Sequence, residues 1–163
     1  MGRGYYNLVI KAIFSLFVVC AFYQCTPTPP QFEEMVGVWK AKDGAVIELN
    51  ADSTFVIKNF DSYFFHELRD DTIRYKVNAV GKWSIWVNGS LGNLLLSIGF
   101  DGAVKSSDSL FIANENKWII SPYSGDNFYI KGEGGFLTDK APWFIRAIDN
   151  FDDYNTYDFH RVK

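Results

Sequence analysis

Gly37-Val38-Trp39-Lys40-Ala41-Lys42-Asp43-Gly44-Ala45-Val46-Ile47-Glu48-Leu49-Asn50-Ala51-Asp52-Ser53-Thr54-Phe55 is the stretch on which the fold turns. Residues 36–41 read as one strand. Asp43-Gly44 follows as a hairpin turn, because this pair accepts the left-handed backbone that tight hairpins require. Residues 45–49 alternate, with Val46 and Glu48 on one face and Ile47 and Leu49 on the other. Asn50-Ala51-Asp52-Ser53 makes the next turn, and residues 54–59 return with Phe55 and Ile57 on a common face. Three strands in meander predict an antiparallel sheet.

The pattern continues along the chain. Residues 73–80 and 82–87 read as a hairpin around Gly81, closed by an Asn88-Gly89 turn, and residues 93–100 as an apolar strand. Residues 109–113 and 117–122 flank Asn114-Glu115-Asn116 as a further hairpin. Residues 127–131 and 156–162 add two more strands. Two segments resist this reading. Residues 61–72 mix Phe64, Phe65 and Leu68 with charged side chains, as in one or two helical turns or a charged loop over an open end. Residues 139–153, with Trp143, Phe144 and Ile145, suggest a short helix or packed loop. Aromatic residues make up 18% of the chain, which suits a pleated, half-buried surface. The expectation is an all-β, antiparallel barrel of eight to ten strands with short helical or irregular insertions, closed so that no edge is left bare.

The Gly37-Val38-Trp39 strand, the Asn50-Ala51-Asp52 turn with Phe55, a second Gly-x-Trp at Gly81-Lys82-Trp83, and the closing Tyr157-Asp158-Phe159-His160-Arg161 resemble lipocalin-like domains of small, Bacteroidetes-type bacterial lipoproteins. The resemblance implies that Trp39 packs beneath a barrel with Arg161 lying across it, as a structural pair that closes the barrel. The chain lacks the Thr-Asp-Tyr motif and the disulfide of true lipocalins.

Working back toward the start, residues 1–24 carry Arg3 and Lys11 and no acidic residue. A short apolar run, residues 12–23, precedes Cys25 and a Pro-rich stretch. The run is too short to span a bilayer, which takes about 20 apolar residues. No small-x-small cleavage pattern precedes Pro30, as a plain secretory signal would want. The segment resembles a bacterial lipoprotein signal, which implies lipid attachment at Cys25, with Cys20 as the weaker alternative. The expected organisation is a signal peptide over 1–24, a stiff tether over 25–30 and a barrel domain over 31–163, held to a membrane of the bacterial envelope. Beyond the leader there is no cysteine, so the domain holds without a disulfide and excludes thiol chemistry.

Without residues 1–24 the chain loses two of its sixteen basic residues and none of its nineteen acidic ones, leaving a formal charge of −5. Nucleic acid is not expected as a partner, since that would need a basic stripe. His66 and Glu67 with Asp70 and Asp71 fall short of a closed metal site and read as a solvated surface. Asp149, Asp152 and Asp153, with Asp139 nearby, read as an acidic loop rather than the paired carboxylates of a glycosidase. Gly132-Glu133-Gly134-Gly135 lacks the Lys-Ser/Thr ending of a phosphate cradle. No catalytic residue, metal or cofactor is expected.

The aromatic load is what remains to carry function. Tyr63, Phe64 and Phe65 in one irregular segment and Trp143 and Phe144 in the other either plug the barrel ends or form a ligand or partner rim. The expected function is non-enzymatic binding at the barrel mouth, of a small apolar or amphipathic ligand or of a protein. An alternative is an immunity- or inhibitor-type protein that blocks a toxin or hydrolase in the envelope. A hydrolase using the 149–153 carboxylates is the third.

Overall fold

Strand β1 (Gly37–Lys40) turns at Asp43-Gly44 into β2 (Val46–Leu49), with Trp39 opposite Ile47. Gly44 sits at φ +88, which only a residue without a Cβ adopts freely, and the Asp43 carboxylate accepts the Ala45 amide at 3.2 Å. The second turn is set by Asp52, whose carboxylate accepts both the amide (3.0 Å) and the hydroxyl (2.6 Å) of Thr54. In this computed structural model the described residues are 29–68, 74–88, 93–105, 120, 124–134, 139–148 and 155–162, together with Lys11 and Ser15.

From there the chain runs through β3 (Thr54–Asp61), β4 (Lys76–Asn88), β5 (Asn93–Lys105), β6 (Gly125–Gly134), β7 (Lys140–Ile148) and β8 (Thr156–Arg161). Each strand pairs antiparallel with the next, and β8 returns to β1 through Trp39↔Arg161 and Lys40↔His160. The result is a closed, all-β barrel of eight strands, lipocalin-like in architecture. One helical turn, α1 (Phe32–Met35), precedes β1, and 3₁₀ turns at Ser62–Phe64 and His66–Leu68 follow β3. We call the end with the β1–β2 turn and the 3₁₀ turns the upper end. The end with α1, the β2–β3 turn and the tip of the β4–β5 hairpin is the lower.

Two expectations are corrected. Gly81 is not a turn: β4 runs straight through it, and the β4–β5 register slips between Val80 and Gly81. A Cβ there would overlap the Gly99 carbonyl oxygen and stand 2.9 Å from the Phe55 ring, so the glycine admits a close backbone approach at a bulge. The segment expected as a helix or packed loop over 139–153 is instead strand β7 as far as Ile148. Its adjacent apolar residues hid the alternation. Ile145 and Ala147 point inward, while Phe144 faces out and is covered by the His160 ring (5.4 Å) and the Arg146 guanidinium (5.0 Å). Of the hairpin expected over 109–122, only Ile120 lies within the described residues, bridged to Ala103.

The inward faces fill the barrel. Phe60 is fully buried and stacks on Phe65 at 4.3 Å, Phe128 at 5.3 Å and Phe159 at 5.5 Å. Phe55 meets Phe100 edge-on at 5.9 Å, and Phe100 meets Phe65 at 5.3 Å. Ile47, Ile57, Val77, Ala79, Leu96 and Ile130 have no exposed surface. Side chains so placed leave no water-sized void beside them, so around these residues the interior is a packed core.

Candidate functional site

The lower end is closed by residues drawn from both ends of the chain. Trp39 Nε1 donates to the Met35 carbonyl at 2.9 Å, and Phe32 stacks flat on Trp83 at 4.5 Å. Arg161 donates to the carbonyls of Glu34 (3.2 Å) and Val36 (2.6 Å), with its guanidinium carbon 5.9 Å from the Trp39 ring centre. The planar guanidinium thus clamps α1 beneath the barrel. Beside it, Glu133, Pro142, Trp143, His160, Arg161 and Val162 line a recess of about 680 Å³. Its charged groups are engaged: Glu133 meets His160 at 3.2 Å, and Arg161 serves the two carbonyls. The Trp143 indole nitrogen is buried and has no hydrogen-bond partner among the described residues.

The upper rim is built differently. Asp43 accepts the Tyr157 hydroxyl at 2.7 Å on both oxygens and pairs with the Lys76 ammonium. Burial alone would raise the Asp43 carboxyl. The hydrogen bonds from Lys76, Tyr157 and the Ala45 amide outweigh it and hold the group below the ordinary carboxylate range. Burial first, and then the hydrogen bond to Asp43 and the nearby Asp43 and Asp61 charges, push the Tyr157 phenol far above its ordinary value. At neutral pH this pair is therefore a fixed anion and a fixed neutral donor. Around it, Asp43, Asp61, Phe64, Arg74, Tyr157 and Asp158 line a depression of about 410 Å³ that runs over the rim.

The structure separates the aromatic residues singled out from the sequence. Tyr63, Phe64 and Phe65 lie at the upper end. Phe65 is in the core, Phe64 stacks on Tyr157 at 4.9 Å, and Tyr63 lies beneath the Arg74 guanidinium at 3.9 Å. Trp143 lies toward the lower end and faces inward, while Phe144 stands on the outer wall. The five do not form one patch. Cys25, Cys20, Asp70, Asp71, Asp149, Asp152 and Asp153 lie outside the described residues. Among the described residues no three of His, Cys, Asp and Glu converge as metal ligands would. The Asp43–Tyr157–Lys76 cluster was missed, because its members lie 114 and 33 residues apart and Asp43 had already been accounted for as a turn residue.

No family model matches the chain, and no curated protein and no solved structure is significantly similar to it.

Proposed function

We propose that this chain is a lipid-anchored, non-enzymatic binding protein of the bacterial envelope that engages a protein at its upper rim. The observation that carries this reading is the packed interior around Phe60, which weighs against a small apolar ligand held in the lumen. The rim depression is open and chemically varied. Its Asp43, Asp61 and Asp158 stand beside Lys42 and Arg74, with Asp43 paired to Lys76 and Asp158 to Arg146, and the Asp43–Tyr157 pair holds part of the surface rigid. Charge fixed in place before encounter gives specificity and on-rate. The lipid at Cys25 supplies the location, since acyl chains contribute about 0.8 kcal/mol per buried CH₂ and more than one is needed for stable anchoring. The inhibitor-type alternative, with an acidic rim steering a basic hydrolase, is weakened by the pairing of Asp43 with Lys76 and of Asp158 with Arg146, which neutralises two of the three carboxylates among the described lining residues.

Two measurements test the reading. Purified protein extracted with organic solvent should yield no stoichiometric small molecule by mass spectrometry, and one found in a fixed ratio would overturn it. A photo-crosslinker at Thr156, on the rim, should give a discrete protein adduct in intact cells that Arg74→Glu abolishes. The same probe at Lys140, near the lower end, should give none.

A further inference from the structure

Among the described residues three large apolar side chains are conspicuously exposed: Trp86 (55%), Val87 (41%) and Val162 (43%). All three sit at the lower end. Trp86 and Val87 lie at the end of β4, and Val162 follows the last residue of β8. The pairing explains the exposure of the first two. β3 pairs with β4 only as far as Thr54↔Lys82, whereas β4 and β5 continue together to Asn88↔Asn93. The end of this hairpin therefore extends past its β3 neighbour, and residues 84–88 have no β3 partner. An apolar edge of this kind invites association unless something covers it.

We infer that the lipid bilayer covers it: the barrel rests on its lower end, with Trp86, Val87 and Val162 in the headgroup interface. This rests on Cys25 as the lipid-bearing residue. Only six residue steps separate Cys25 from Gln31, about 19 Å at the 3.1 Å per residue of an extended proline-rich chain. The point where that tether joins the barrel is known. Phe32 is stacked on Trp83, three residues from Trp86 along β4, which is about 10 Å at 3.3 Å per residue. An acyl chain in the membrane therefore holds the Trp86 edge close to the lipid surface. Tryptophan is the side chain best suited to that depth, with an apolar ring and a polar N–H. The upper rim, at the opposite end, is left facing away from the membrane.

Residues 26–163 contain no cysteine, so one introduced thiol labels uniquely. The full lipidated chain, carrying Val87→Cys labelled with nitrobenzoxadiazole, is reconstituted into phosphatidylethanolamine–phosphatidylglycerol vesicles containing shallow spin-labelled lipid. Lys58→Cys on the exposed outer wall serves as reference. Quenching at position 87 should exceed that at position 58 at least threefold, with a blue-shifted emission. In unlabelled protein Trp86→Phe should remove most of the quenching of tryptophan emission by brominated lipid. Equal quenching at 87 and 58, in a protein whose Cys25 is acylated by mass spectrometry and which remains with the vesicles, overturns this inference alone. An unacylated Cys25 overturns the anchor reading and this inference with it. Crosslinking of Val87→Cys between two copies, with the label equally shielded in detergent, assigns the edge to a second copy and overturns it as well.

Discussion

Arg161 stands opposite Trp39 where the last strand meets the first, and its guanidinium reaches past the indole to the Glu34 and Val36 carbonyls. One side chain thus ties β8, β1 and α1 together. Gly37 makes room for it, since a Cβ there would come within 3.1 Å of Arg161 Nε. Arg161→Ala should lower unfolding stability by about 1–2 kcal/mol, the lower part of the range for charged hydrogen bonds, because the group is exposed. Arg161→Lys should recover little of it, lacking the planar fork. Urea denaturation measures both, and wild-type stability in Arg161→Ala would show that the clamp is idle.

The Phe60 cluster makes a second test. Phe60→Ala should cost about 3–5 kcal/mol, as deletion of a buried ring does. It should also open a void in a barrel that otherwise has none around that ring. A small apolar dye should then bind the variant saturably and leave the wild-type protein unbound. Dye binding by the wild-type protein at one site would argue for a lumen still open to ligands.

The rim network gives a pH dependence of definite sign. Asp43 is held below its ordinary value, so its contribution is complete above about pH 4 and is lost as pH falls through the folded value. Tyr157 behaves in the opposite sense: its raised phenol contributes fully below about pH 10 and loses that contribution above it. Asp43→Asn should therefore lower Tm at pH 7, and the gap to wild type should close below pH 4. Thermal melts at pH 3, 5 and 7 decide it, and a gap independent of pH would sink the assignment.

Two tryptophans near the lower end contrast usefully. Trp83 Nε1 donates to the Asn50 carbonyl at 3.1 Å, whereas Trp143 Nε1 is buried with no acceptor among the described residues. Trp83→Phe should cost about 1–2 kcal/mol, through the lost bond and the carbonyl left behind. Trp143→Phe removes an unpaired donor and should cost clearly less. The reverse order by chemical denaturation would mean that the Trp143 indole has a partner.

Gly81 and Gly99 offer a matched pair on adjacent strands. Gly81→Ala drives a Cβ onto the Gly99 carbonyl and toward Phe55, and should prevent stable folding. Gly99→Ala meets nothing nearer than the Lys82 carbonyl at 3.9 Å and should stay within about 1 kcal/mol of wild type. Soluble yield and circular dichroism separate the two.

These residues also show what a linear reading can reach. The first three strands were legible because alternation and turn chemistry agree there, as at Asp43-Gly44 and Asp52. Gly81 misled because a glycine amid β-branched and aromatic residues signals a turn and a bulge equally. β7 was obscured by Phe144, an outward aromatic that neighbouring rings and cations shelter, which breaks the alternation. The Asp43–Tyr157–Lys76 cluster could not be seen at all: barrel closure alone brings those three positions together. Phe64 and Phe65, picked for an exposed rim, are drawn inward by Tyr157 and Phe60 at the end of the barrel.

The pairing of Trp39 with Arg161 has a bearing on the order of events in the cell. The opening strand emerges from the ribosome more than a hundred residues before its closing partner does. Until the last strand arrives, β1 and β7 each present an unsatisfied hydrogen-bonding border, and no sheet of this topology can seal. A nascent or truncated chain ending before residue 156 is therefore not a smaller version of the protein but a sticky, open ribbon. Synthesis of β8 and closure of the barrel therefore become nearly the same moment, and until then the sheet stays open.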